Sequence, residues 1–401
     1  MDIREEFPML INNKDLIYFD NGATTFKPKL VIDSIRDYYE NYTSNAHRGD
    51  YNISLKTDMK YEATRKKIKE FINAEKLEEI IFTSGTTESL NIIAKSFFKY
   101  KLKENDEILI TKSEHASNVL PWFEVCKETG SKVKYIELDN KQKVTLENVK
   151  KAITPNTKVI SLAHITNVVG DVRPIKEICE YAHSLGILVV VDGAQAVPHM
   201  KVDVIDLDCD FLAFSGHKMC GPTGIGVLYG KFDLLEQVKP YNSGGGMNAS
   251  FLSTGEMEYK SLPQRLEAGT PNIAGAIGLG AAIDYLTLLD MDKIHEYELK
   301  LKEYLVKKLK ENEKIEVYNE ESESGIVAFN IKNIFSQDTA IFLNDYNICV
   351  RAGNHCAKIL KDELEIKNTC RISLYFYNTK EEIDKLISVL KNSDMLYHQI
   401  L

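Results

Sequence analysis

Between residues 60 and 230 short apolar runs alternate with amphipathic stretches, and this alternation narrows the fold more than any other feature. "KYEATRKKIKEFI" carries apolar residues at helical spacing, "EEIIFT" reads as a strand, "TESLNIIAKSFFKY" as a helix and "DEILIT" as a strand again. "KVKYIEL", "VISLAHI", "ILVVVDG", "DFLAFSG" and "IGVLYG" supply further strands. "PIKEICEYAHSLG" opens on Pro174 and stops at Gly186, the start and stop signals of a helix between two strands. Strands separated by helices predict an α/β unit on a largely parallel sheet. Past residue 275 the pattern changes. Two long helices, "IAGAIGLGAAIDYLTLL" and "IHEYELKLKEYLVKKLK", precede the strands "SGIVAFNI", "NICVRAG" and "TCRISLYFY" and a last helix, "TKEEIDKLISVLKNS". This predicts a smaller α+β domain. The Gly- and Ser-rich stretch 241–256, "YNSGGGMNASFLSTGE", reads as the most flexible segment.

Composition limits what such a chain does. Fifty Lys and Arg against 59 Asp and Glu give a net charge of −9, which argues against nucleic acid as a partner. No apolar run reaches the length of a membrane span, so no membrane association is expected. The start, "MDIREEFPML", is charged and lacks the apolar core of a secretion signal, which points to the cytoplasm. Cysteines fall at 126, 179, 209, 220, 349, 356 and 370, an odd number with no CxxC pair, so neither a disulfide framework nor a metal site is expected.

Ligands of open parallel sheets bind beyond the carboxyl ends of the strands. The ends of these strands read "TSGTTE", "KSEHAS", "HITNVVG", "VDGAQA" and "FSGHK", which places polar and titratable groups along one edge and predicts one shared site. In the turn Ser84-Gly85-Thr86-Thr87, hydroxyls and free N–H groups suit a phosphate, and equally an ordinary helix cap. Asp192 follows an apolar run, where a carboxylate has to be paired; it either caps the next turn or faces a protonated heterocycle. His115 reads as a core histidine, or as an aromatic plate or acid/base group beside a ligand. Lys218 is either a solvated turn lysine or an amine that forms a Schiff base with a carbonyl compound. Pyridoxal 5'-phosphate needs a lysine for its aldehyde, an anion-binding loop for its phosphate and an acid for its ring nitrogen. Lys218, the 84–87 turn and Asp192 supply all three.

Here the chain resembles the class V aminotransferase-like, fold-type I pyridoxal phosphate enzymes, and more narrowly a cysteine desulfurase of the SUF type. The likeness rests on "YFDNGATT", "GTTESLN", "SEHASNVLPW", "VDGAQAVPH", "FSGHKMCGPTGIGVLYG", "EAGTPNIAGAIGLGAA", "RAGNHCA" and "CRISLYFYNT", in that order across nearly the whole length. It implies an α/β fold with a mainly parallel seven-stranded sheet in a large domain over residues 21–270. A small α+β domain of residues 1–20 and 271–401 would carry the cysteine loop. Lys218 would hold the cofactor and shuttle the Cα proton, Asp192 pair with the ring nitrogen, Gln195 contact the ring hydroxyl and His115 stack on the ring. Asn167 would lie near the ring hydroxyl and the substrate carboxylate, and Thr86, Thr87, Ser215 and His217 would bind the phosphate. Thr270 would reach the phosphate of a neighbouring subunit, which implies a homodimer. Arg371 would clamp the substrate carboxylate, a bidentate match suited to guanidinium, with Arg351 nearby.

Cys356 in "RAGNHCAK" is the expected nucleophile, on a loop beside His355 and near Arg351, because cationic neighbours favour the reactive form of a thiol. The implied reaction converts L-cysteine to L-alanine and leaves a persulfide on Cys356, which passes to an acceptor protein for iron–sulfur cluster assembly. The short spacing from Cys356 to Arg371 resembles the SUF-type group and implies an acceptor that enters the site. Ser84, Asn354 and Asp50-Tyr51 stand where that group more often has arginine, histidine and Ile-His, next to His47 and Arg48 in the last case. Two other readings stay open: a selenocysteine lyase using the same site, and a non-catalytic sulfur-assembly scaffold on this fold.

Overall fold

The apolar runs become strands β1 (Ile80–Thr83), β2 (Glu107–Thr111), β3 (Lys132–Ile136), β4 (Thr157–Ala163), β5 (Leu188–Asp192), β6 (Phe211–Ser215) and β7 (Gly226–Gly230) of a computed structural model. That model describes residues 3–47, 49–139, 141–318, 320–363 and 368–391; Arg48 lies outside them. The seven strands form one sheet in the order β1-β7-β6-β5-β4-β2-β3. Only β7 runs against the others, pairing antiparallel with both β1 and β6. Every residue of β1, β2, β6 and β7 is buried, as in a sheet covered on both faces, where strands read as continuous apolar runs rather than alternating ones. The edge strand β3 keeps Lys132 and Lys134 outward, which blunts its open edge. Because β1, β2, β4, β5 and β6 point the same way, their carboxyl ends and following turns meet along one edge.

The helix predicted from "IAGAIGLGAAIDYLTLL" forms, over Ile273–Leu289, but not in the smaller domain. It packs between α1 (Lys29–Asn41) and α2 (Asn52–Phe71), and its side chains join Ile80, Val189 and Phe214 in the core of the large sheet. A helix that is apolar all round has to be covered all round, and the large domain offers those surfaces. Gly278 and Gly280 permit the close approach: a Cβ on them would meet Ile35 and Pro222, or Thr64, at under 3 Å. The expected domain boundary at 270/271 therefore shifts toward Asp290. Phe7 and Leu10 likewise pack into the large core, although residues 1–20 were expected in the small domain.

The small domain is an antiparallel sheet of β8 (Ile315–Tyr318), β9 (Ile326–Ile331), β10 (Arg351–Gly353) and β11 (Thr369–Ser373), in the order β8-β9-β11-β10. Helices Met291–Lys310, Ser336–Asn344 and Lys380–Lys391 bury Leu301, Leu305, Phe342 and Leu386 against its Phe329 and Ile372. A parallel pair, Ile17–Tyr18 with Ile348–Cys349, and a bridge from Asp20 to Ser373 tie the amino-terminal segment to it. The Gly/Ser-rich stretch is ordered more than its composition implies: Asn248–Phe251 pairs antiparallel with Met257–Tyr259. Among the described residues no single helix is long and apolar enough to cross a membrane.

Candidate active site

At the end of β1 the chain turns through Gly85, with φ at +157°, into a helix starting at Thr86. Thr86 N–H donates to Ser215 Oγ at 2.8 Å, and the two hydroxyls lie 2.7 Å apart, so the ends of β1 and β6 are joined side chain to backbone. Thr87 and Ser117 hydroxyls meet at 2.7 Å. These groups form a polar cradle of hydroxyls at one end of a cavity of about 380 Å³. His217 borders it, and burial, reinforced by the charges of Lys218 and Lys27, lowers its pKa to about 4, which leaves it neutral.

His115 follows β2. Ser117 N–H donates to its Nδ1 at 3.1 Å, which fixes the tautomer: Nδ1 accepts and Nε2 carries the proton. Burial, with help from Lys218 and Arg371, lowers its pKa to about 4. Beneath it lies an ion pair that sequence reading missed. Arg173 and Glu114 are fully buried and paired, and Arg173 also donates to Thr111 Oγ1 at 2.8 Å and Ser113 Oγ at 2.7 Å. The other Glu114 oxygen accepts from Asn118 Nδ2 and Ala163 N–H, both at 2.8 Å. The pair stitches the ends of β2 and β4 together directly beside His115.

Asp192 ends β5, accepts from Ala194 N–H at 2.9 Å, and burial pushes its carboxyl up to about 6. Lys218 closes the turn Gly216–Lys218 after β6; burial pushes its amine down to about 8, and the Asp192 carboxylate opposes that shift. Gln195 donates to Gly22 O at 2.8 Å, while its Oε1 is buried without a partner. Asn167 donates to His355 O at 2.6 Å, and its Oδ1 too is buried without a partner.

The small domain closes the cavity from the other side. Arg371 on β11 is 2% exposed and donates to Asn167 O at 2.8 Å and Asp20 Oδ1 at 3.1 Å, with Nε left unpartnered. Arg351 on β10 grips both Asp20 oxygens, through Nε at 3.0 and 3.1 Å and through Nη2 at 2.7 Å. Cys356 is exposed and, like His355, adopts a left-handed backbone, with φ at +56° and +51°. Its carbonyl accepts from Ala116 N–H at 2.8 Å, so the cysteine loop is pinned to the turn carrying His115.

Thr86, Thr87, His115, Asn167, Asp192, Gln195, Ser215, His217, Lys218, Arg351, Cys356 and Arg371 all line this one cavity. Thr270 does not. It is exposed on a separate face, where its Oγ1 accepts from Asn45 Nδ2 at 3.3 Å. Asp20, paired with both Arg351 and Arg371 beside the cavity, is a further residue that sequence reading passed over, although it stands inside "YFDNGATT" directly after an apolar strand. The unpartnered buried atoms of Gln195, Asn167 and Arg371, the carboxyl of Asp192 and the hydroxyl cradle are what an aromatic, phosphate-bearing aldehyde and an amino acid would satisfy. Pyridoxal 5'-phosphate fits these residues.

Residues 17–386 match the model of the family "Aminotransferase class-V". The chain is 46% identical to a probable cysteine desulfurase of Halalkalibacterium halodurans, over 98% of this chain and 97% of the relative. It is 40% identical to a cysteine desulfurase of Haloferax volcanii, over 95% and 90%. Among solved structures, the cysteine desulfurase CsdA of Escherichia coli superposes with a TM-score of 0.92 at 36% identity, covering 98% of both chains. The apo cysteine desulfurase of Thermococcus onnurineus superposes with a TM-score of 0.93 at 38% identity, over 98% and 97%. With nearly full-length matches to both sequence and fold, the chain belongs to the class-V aminotransferase family and, within it, to the cysteine desulfurases.

Proposed function

We propose that this protein converts L-cysteine to L-alanine with the sulfur captured on Cys356, and that it passes that sulfur to an acceptor protein for iron–sulfur cluster assembly. The observation that supports this best is the meeting of a buried lysine, a buried carboxylate and an exposed cysteine on one cavity. Lys218 would hold pyridoxal 5'-phosphate through its aldehyde, with Asp192 at the ring nitrogen, Gln195 and Asn167 near the ring hydroxyl, and Thr86, Thr87, Ser215 and His217 at the phosphate. When bound, the cofactor supplies an electron sink that acidifies the substrate Cα–H and weakens its Cβ–S bond. Lys218 Nζ, with its pKa lowered to about 8, accepts and returns the Cα proton near neutral pH. Asp192 holds the ring-nitrogen proton. His115 is neutral, with its proton on Nε2, and borders the cavity. Arg371 orients the substrate carboxylate. Cys356 Sγ takes the substrate sulfur: an S–S bond forms as the Cβ–S bond breaks, and the carbon fragment leaves as alanine.

The short sequence spacing from Cys356 to Arg371 supports the SUF-type reading and an acceptor that approaches the exposed thiol directly. A homodimer is supported by the apolar surface near Thr270. Tyr51, Ile53, Leu55 and Met59 lie exposed at the start of α2, with Met59 at 73%. All seven cysteines are free, which suits a reducing cytoplasm. The test is alanine release from L-cysteine by the purified, cofactor-coloured protein, with L-selenocysteine run beside it. Steady alanine release from L-cysteine supports the desulfurase. Release from selenocysteine alone replaces it with a lyase, and a colourless protein that cannot be reconstituted replaces it with a scaffold.

A further inference from the structure

Two hydrogen bonds from the large domain hold the cysteine loop, and both go to main-chain carbonyls. Ala116 N–H donates to Cys356 O at 2.8 Å, and Asn167 Nδ2 donates to His355 O at 2.6 Å. His355 and Cys356 both have positive φ, a conformation that non-glycine residues keep only where their surroundings hold them in it. The two donors stand on different turns. Ala116 belongs to the turn after β2, which also brings Ser117 Oγ to the Thr87 hydroxyl at 2.7 Å. Asn167 belongs to the loop after β4, closed at its base by the antiparallel bridge of Ile165 with Val172 and by Arg173 N–H donating to His164 O at 2.9 Å. That loop reaches the small domain through Asn167 O, which accepts from Arg371, and Gly170 O, which accepts from Ser324 Oγ at 2.8 Å.

Glu114 and Arg173 join these two turns at their roots. Neither lines the cavity, and both side chains are 0% exposed. Glu114 stands just before His115 and Ala116, and Arg173 closes the Asn167 loop. Besides pairing with each other, Glu114 accepts from Ala163 N–H at the end of β4 at 2.8 Å, and Arg173 donates to Thr111 Oγ1 and Ser113 Oγ at the end of β2 at 2.8 and 2.7 Å. Each partner thus reaches across to the other's strand. Burying such a pair gains little stability over apolar side chains of the same size, so stability alone does not account for it. We propose that Glu114 and Arg173 are positioning residues for Cys356: their buried pair fixes the spacing of the two turns that hold the cysteine loop, and with it the reach of the thiol. This rests on the reading of Cys356 as the sulfur acceptor. Thiol and substrate sulfur have to approach within about 3–3.5 Å, and an error of about 1 Å slows such a step about 100-fold.

Arg173→Met alone leaves Glu114 as a lone buried charge. The test therefore uses Glu114→Gln/Arg173→Met, which removes both charges and keeps an acceptor for Ala163 N–H. Hydrogen exchange at Ala116 N–H is read in the holoenzyme without substrate. The paired variant exchanges there at least about tenfold faster than wild type, while the amides of β5 keep their protection. In a single turnover with L-cysteine, persulfide formation slows about 10–100-fold relative to the cysteine-induced change in the cofactor spectrum that precedes it. Unchanged exchange at Ala116, or a loss of protection that extends through β5, overturns the proposal. So does persulfide formation that slows only in step with the spectral change. If neither protein forms persulfide while exchange at Ala116 alone rises, the desulfurase reading falls and the pair's hold on the cysteine loop stands.

Discussion

Asp192 and Lys218 are titrating groups held under tension by burial. The folded pKa of Asp192 is about 6 against 3.8 in its ordinary state, so between these values the native protein binds more protons than the unfolded chain. Stability from this group is present below pH 3.8 and is lost as pH rises through about 6. Lys218 is the mirror image. Its folded pKa is about 8 against 10.5, so the unfolded chain binds more protons in that window and native stability rises with pH across it. At neutral pH both groups are charged in the fold at a cost that a bound cofactor and its ring nitrogen would offset. Asp192→Asn therefore makes the cofactor-free protein more stable at pH 7 by about 1–3 kcal/mol and weakens cofactor retention. Chemical denaturation and the visible spectrum of the same sample check both halves. Loss of stability in the apoprotein contradicts this account.

The strand-end turns depend on how closely their elements approach. Gly226 on β7 lies under the Thr86 turn: a Cβ there would stand 2.4 Å from Gly85 Cα, a backbone atom that cannot swing aside. Gly226→Ala pushes the 84–87 turn off its hydroxyl partners. It is expected to cost about 1–3 kcal/mol of stability and to weaken binding of the cofactor phosphate, measured by thermal unfolding and by reconstitution with the cofactor. At this scale the sequence was most legible. Continuous Val/Ile/Leu runs located the strands, and polar residues at their ends located Lys218, Asp192 and His115. What it hid was direction and distance. The antiparallel course of β7 leaves no mark on composition. The helix Ile273–Leu289 looked like the start of the small domain because it precedes that domain in the chain, yet its all-apolar surface belongs to the large core. Asp20 was invisible as a site residue because its partners are 331 and 351 positions away, beyond any local pattern. The Glu114–Arg173 pair was hidden for the same reason, 59 positions apart. Thr270, expected at the phosphate of a neighbouring subunit, lies outside this chain's own cavity, as a residue serving another subunit's site would.

The cavity exists only because the two domains face each other across it. The large sheet contributes the lysine, the carboxylate and the hydroxyl cradle; the small domain contributes both arginines and Cys356. The Ala116–Cys356 and Arg371–Asn167 hydrogen bonds fasten one side to the other. Chemistry on the large-domain side therefore ends at a thiol presented by the small-domain side, and that transfer is the central claim. It is tested most directly by a single turnover with L-cysteine and no acceptor, in the wild-type protein and in Cys356→Ala, with alanine and protein-bound persulfide quantified together. The account predicts about one alanine and one persulfide per site in the wild type, and loss of both in the variant. Alanine formed at the same yield in Cys356→Ala, or a cysteine-induced spectral change with persulfide in neither protein, would contradict it.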